Sequence, residues 1–222
     1  MKQALKQAAS LAVGFAFCAF GTYLTIRANI GLAPWDALNM GAAITANRPF
    51  GTMSIVVGVC ILGLDLLLKE PIGIGTLLNT VVIGKIVDLY LWLDLVPQME
   101  TLASGIPVLL LGQFFLCFGI FLYMRTGYGS GPRDSLMVAF NKRLPKVPVG
   151  IARGSVDLLA LLCGGLLGAK VGLGSVIAVC GISFIMQFTF RMVHFDPKTV
   201  HHENMMETFR RLQKAREASQ TI

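Results

Sequence analysis

The chain of 222 residues is 55% hydrophobic and 14% charged, with a mean hydropathy of +0.69 and a net charge of +7. Soluble domains carry roughly 25% charged residues. This composition therefore excludes an ordinary soluble domain and points to a polytopic helical membrane protein, with the basic excess suited to membrane topology and anionic headgroups rather than to nucleic acid.

Residues 1–10 form a short basic start with Lys2 and Lys6. The apolar run from Ala8 to Ile26 is too long for a signal-peptide core and is expected to be a retained first span. Arg27 to Leu38 then reads RANIGLAPWDAL, an abrupt polar and Gly/Pro-bearing break. Asp36 is expected to cap a short helix running to Ala46. Further spans are expected at Phe50–Leu68, Ile72–Leu93, Leu102–Met124, Val149–Gly168 and Leu173–Val193. The tail, 195–222, reads as a basic amphipathic helix. The five cysteines, Cys18, Cys60, Cys117, Cys163 and Cys180, lie in apolar runs without metal-ligand spacing. They read as buried packing residues, and neither a metal nor a cofactor is expected. No nucleotide-binding or nucleophile motif occurs, so nothing points to an enzyme.

The break at Arg27 recurs. Arg125 to Leu136 reads RTGYGSGPRDSL, and both copies fit R-x3-G-x2-P-x-D-x-L at a constant offset of 98 residues. Gly31 and Pro34 correspond to Gly129 and Pro132 as backbone-shaping positions. The match extends upstream, where Gly14, Phe17 and Gly21 align with Gly112, Phe115 and Gly119. Downstream, one insertion later, GIGTLL at Gly73 aligns with GLGSVI at Gly172. Residues 11–96 and 97–194 are thus two repeats of three spans each. Three is odd, so the second repeat enters the bilayer from the opposite side. The expected fold is all-α integral membrane: six transmembrane helices in a 3+3 inverted-topology repeat, each half with a short re-entrant or interfacial helix after its first span. Lys and Arg concentrate in the segments that face the cytoplasm if the N-terminus is inside, so both termini are expected there.

Candidate substrate contacts are Arg27, Asp36, Arg125, Asp134, Arg153, Asp157 and Asn79. Charged groups at membrane depth are costly unless paired or hydrated, and arginine binds carboxylate or phosphate bidentately. Structural readings stand beside these. Arg27 with Asp36, and Arg125 with Asp134, would each fix a turn, and Arg153 with Asp157 would form an i,i+4 pair. Asp65, Lys85, Asp88 and Gln113 add polar groups inside the spans.

The segments IGLAPWDAL, GIGTLLN, IGKIVDL, GSGPRDSL, VGIARGSVDLL and GLGSV resemble the bacterial YczE/YyaS-type integral membrane proteins, distantly similar to the YitT family. The resemblance covers about Val13 to Phe190, and the PWD and GPRD segments are its most specific parts. Ala33 stands where the family pattern often has Gly, and Asp157 where Glu is usual. The resemblance implies a small multi-pass protein of the bacterial inner membrane, and an accessory role in lipopeptide antibiotic synthesis for one branch. The function expected from the repeat and the intramembrane charge is a small secondary transporter or exporter of an organic solute. A membrane scaffold for a biosynthetic assembly is the alternative, and the substrate-binding subunit of an ATP-driven vitamin importer a third. The partners expected are the lipid bilayer, an unidentified small molecule and, through Gly-rich faces, a second copy of the chain.

Overall fold

A computed structural model describes residues 2–70, 73–127, 131, 133, 136, 143 and 149–195, without the side chains of 2–5, 74 and 149–153. The expected short helix after Asp134, including Asp134, Gly129 and Pro132 themselves, and the expected tail helix lie outside the described residues. Among those described, all regular structure is helical. The helices are α1 (Lys2–Ala28), α2 (Pro34–Ala46), α3 (Phe50–Leu67), α4 (Ile74–Leu93), α5 (Leu102–Met124), α6 (Val149–Leu166) and α7 (Leu173–Met192). In α1, α3, α4, α5 and α7 the apolar stretch is long enough to cross a membrane. The 18-residue α6 carries a shorter apolar stretch, Gly154–Leu166. At ~1.5 Å per residue α2 is about 20 Å long, too short for a ~30 Å hydrocarbon core. Leu67, Trp92, Leu166 and Phe184 are exposed on the outer helix faces, where a soluble protein would place polar groups.

Local chemistry sets the ends of these helices. Pro34 occupies the first turn of α2, where its missing N–H costs nothing. The cap residue is Ala33, in extended backbone and without a side-chain bond, so Asp36 lies inside the first turn rather than capping it. Asn47 closes α2 in the left-handed conformation, and Pro49 then starts α3. Thr101 caps α5 by accepting from the Ser104 N–H.

The centre of the molecule is the antiparallel crossing of α1 and α5. Ser10 donates to the Leu122 carbonyl at one end, and Gly105 lies against Ala28 and Ile30 at the other. Between them, Gly14 faces Gly119 and Gly21 faces Gly112 so closely that a Cβ on Gly21 would stand 2.5 Å from the Leu116 nitrogen. Phe17 packs on Phe115 with ring centroids 5.6 Å apart. Against this pair, α4 packs through Ala19, Val87 and the edge-on rings of Phe20 and Tyr90. On the other side, the buried Gln113 of α5 donates to the Ala178 carbonyl of α7. Helix α2 is wedged between α3 and α6: Asn39 donates to Ser54 Oγ, while Gly41 and Ala37 press on Gly164.

Several in-span groups prove structural. Asp88 accepts from the backbone N–H of Gly51 (2.6 Å) and Thr52 (3.0 Å), so it closes the N-terminus of α3 rather than pairing with Lys85, which is exposed. Cys18 and Cys117 are buried packing residues as expected, but Cys60 and Cys180 face outward.

Candidate functional site

The first motif leaves α1 at Ala28 and crosses to the start of α7 before turning into α2. Its backbone is held there: the Gly174 N–H donates to the Ile30 carbonyl and the Leu32 N–H to the Lys170 carbonyl. Gly31 has φ +126, and a Cβ would stand 2.8 Å from the Gly172 and Ser175 nitrogens, so only glycine fits this junction. Pro34 then aims the first turn of α2 at the body of the protein.

That turn carries Trp35 and Asp36, and it meets a residue of the second motif. The Arg133 guanidinium lies over the Trp35 ring, 5.2 Å from its centroid, and 3.8 Å from the Asp36 carboxylate. The Trp35 indole N–H donates to Asp157 on α6 at 2.8 Å. Trp35 thus links one cation to a carboxylate from a different helix. Asp36 is buried, whereas the side chain of Arg133 is 41% exposed. Burial pushes the Asp36 carboxyl above its ordinary range, and the charge of Arg133 opposes that shift. An arginine stacked on an indole beside a buried carboxylate, with part of its guanidinium exposed, can present its remaining N–H donors to an anionic ligand.

The remaining expected site residues do not converge here. Arg27 forms an ion pair with Asp94, stacks over Tyr23 and donates to the Leu91 carbonyl. Its partner is therefore not Asp36, because the chain turns away at Gly31 and carries Asp36 inward while the end of α4 brings Asp94 alongside. Arg125 donates through Nε to Ser10 Oγ and stacks over Phe121, in a cleft lined by Lys6, Gln7 and Thr126. Seventeen residues of α1 separate Ser10 from Arg27, so the two arginines lie about 25 Å apart at opposite ends of the bundle. They cannot share one ligand. Asn79 is half-buried on α4. The side chain of Arg153 lies outside the described residues, and Asp157 engages Trp35. Trp35 and Arg133 are not among the expected contacts, although they occupy the same position of the two motifs, between the shared Pro and Asp.

The chain is 31% identical to a Haemophilus influenzae protein described as uncharacterized, over 78% of each chain. It is 30% identical to the uncharacterized membrane protein YczE of Bacillus subtilis, over 79% of this chain and 81% of that one. It is 27% identical to YyaS of the same organism, over 76% and 84%. No solved structure matches the chain. The model of a family of unknown function, DUF6198, matches residues 5–191. With nearly all of its helical core inside that match, this membrane protein belongs to the DUF6198 family.

Proposed function

We propose that the protein is a small secondary transporter of an organic solute, built as a 3+3 inverted repeat, with its binding site where the two motifs meet. The observation that carries this reading is the contact between Trp35 and Arg133, which are repeat equivalents at offset 98. A two-fold relation brings equivalent positions together only beside its axis. Phe17 with Phe115, and Cys18 Sγ with the Leu116 carbonyl at 3.7 Å, are further equivalent pairs in contact at the same offset. Gly14–Gly119 and Gly21–Gly112 are contacts that the same operation would exchange. Because α1 and α5 run antiparallel, an axis relating them is perpendicular to both. If these helices span the bilayer, that axis lies in its plane, and in inverted-repeat transporters the substrate binds at such an axis near mid-depth. The half-exposed Arg133, buried Asp36 and Trp35 would contact the solute there.

On this reading the bacterial cytoplasmic membrane holds the protein with both termini inside, as the distribution of Lys and Arg favours. The test is flux into liposomes carrying the purified protein, across a panel of organic anions, amino acids and amphiphiles. Wild-type protein should move at least one class of solute. Arg133→Gln should cut the rate by about tenfold or more, the loss of one charge-assisted hydrogen bond. Flux through the wild type equal to that of empty liposomes across the whole panel would sink the proposal.

A further inference from the structure

Asp65 is the one fully buried carboxylate with no hydrogen-bond partner among the described residues. It sits in the last turn of the membrane-spanning α3, at 0% exposure, and neither carboxylate oxygen meets a donor. Gln113 and Asn39 also leave an amide oxygen without a partner, but each is engaged through its nitrogen, to a carbonyl and to a serine, whereas both oxygens of Asp65 are left. An ionised carboxylate left this way costs several kcal/mol, and a buried group relieves that cost by staying neutral. Among the described residues no group of three carboxylates, histidines or cysteines gathers around it as a metal ion would require.

We propose that Asp65 is a proton-binding site, carrying its proton as a neutral acid in this conformation and releasing it when the inner end of α3 opens. The inference rests on the transporter reading, for which it would supply the coupling ion. The groups around it fit a proton route. Glu70, itself buried, follows one turn later, its N–H bonded to the Asp65 carbonyl. Lys69 is exposed beside it, and Arg143 donates to the Leu68 carbonyl, so the helix end is basic. On α4, Asp88 binds Gly51 and Thr52 at the opposite end of α3, and Lys85 is exposed. Asp36 of α2 is turned to Arg133. On release, the Asp65 O–H bond breaks and its proton passes to the Glu70 carboxylate or to entering water, leaving the Asp65 carboxylate hydrated.

The test is made on the full chain in lipid vesicles. Dicyclohexylcarbodiimide, an apolar reagent that attacks protonated carboxyls, should modify Asp65 near neutral pH, read by mass spectrometry of its peptide, and modification should fall as pH rises. Infrared spectra should show a protonated-carboxyl band that Asp65→Asn removes. Asp65→Asn, a neutral isostere, should keep the fold and lose the pH dependence of flux. An unmodified Asp65 at every pH, or identical infrared spectra for wild type and variant, overturns the proposal. A variant that fails to fold leaves the labelling of the wild type to decide. Flux with a silent Asp65 refutes the proton site alone, whereas a titrating Asp65 without flux of any solute refutes the transporter reading alone.

Discussion

Replacing Gly21 by alanine is the sharpest check on the α1–α5 crossing. The added Cβ would stand 2.5 Å from the Leu116 nitrogen, 2.6 Å from the Gly112 oxygen and 2.9 Å from the Leu116 Cα. All three are backbone atoms, so no rotamer change relieves the clash. Ordinary carbon contacts need about 3.5–4.0 Å, so the helices must part by roughly 1 Å. The crossing is lined by Gly14, Gly112 and Gly119 as well, and parting would loosen all of them. Overpacking of this kind costs about 1–3 kcal/mol, partly offset by the better helix propensity of alanine, worth up to about 1 kcal/mol. For a chain of this size each kcal/mol lowers Tm by about 2–4 °C. Gly63→Ala supplies the control, because nothing lies within 4 Å of its added Cβ. It should be neutral or slightly stabilising. Gly119→Ala, at the repeat equivalent of Gly21, meets the Cys18 nitrogen at 2.6 Å and should cost about as much. Thermal unfolding in one detergent reads all three variants. If Gly21→Ala proves as stable as Gly63→Ala, the close crossing is wrong. If Gly21 and Gly119 differ by several kcal/mol, the pseudo-symmetric interpretation of it is wrong.

Other variants probe separate links. Asp88→Ala removes the acceptor for the Gly51 and Thr52 N–H groups and should destabilise by about 0.5–2 kcal/mol, as a lost helix cap does, with Asp88→Asn milder. Asp94→Asn breaks the pair with Arg27 at an exposed aspartate, so unfolding should shift by no more than about 1 kcal/mol and flux should stay near wild type. A large flux defect there would move the binding site to the Arg27 end. Gly31→Ala combines φ +126 with contacts at 2.8 Å and should lower expression and Tm more than Gly21→Ala.

Much of the architecture was legible in one sequence. Apolar runs bounded by Gly, Pro, Asn and Thr place the helices, and Leu102–Met124 emerged with both ends as expected. Hydropathy succeeds because a bilayer demands long continuous helices whose backbone is satisfied internally. The first copy of the duplicated motif likewise marked the junction between α1 and α2. The pairing of charges was another matter. Arg27 and Asp36 are nine residues apart, yet Gly31 turns the chain so that α4 supplies Asp94 to one and the second motif supplies Arg133 to the other. Asp88 and Lys85 share a helix, but the start of α3 offers Asp88 two N–H donors. Trp35 needs α6 to bring Asp157. Sequence alone determined an all-helical apolar membrane protein, its duplicated motif and the positions of most of its breaks, because these follow from local composition. Tertiary structure decided which charges meet, because that depends on how closely glycine-lined helices cross and on which helix end each crossing carries to the buried polar groups.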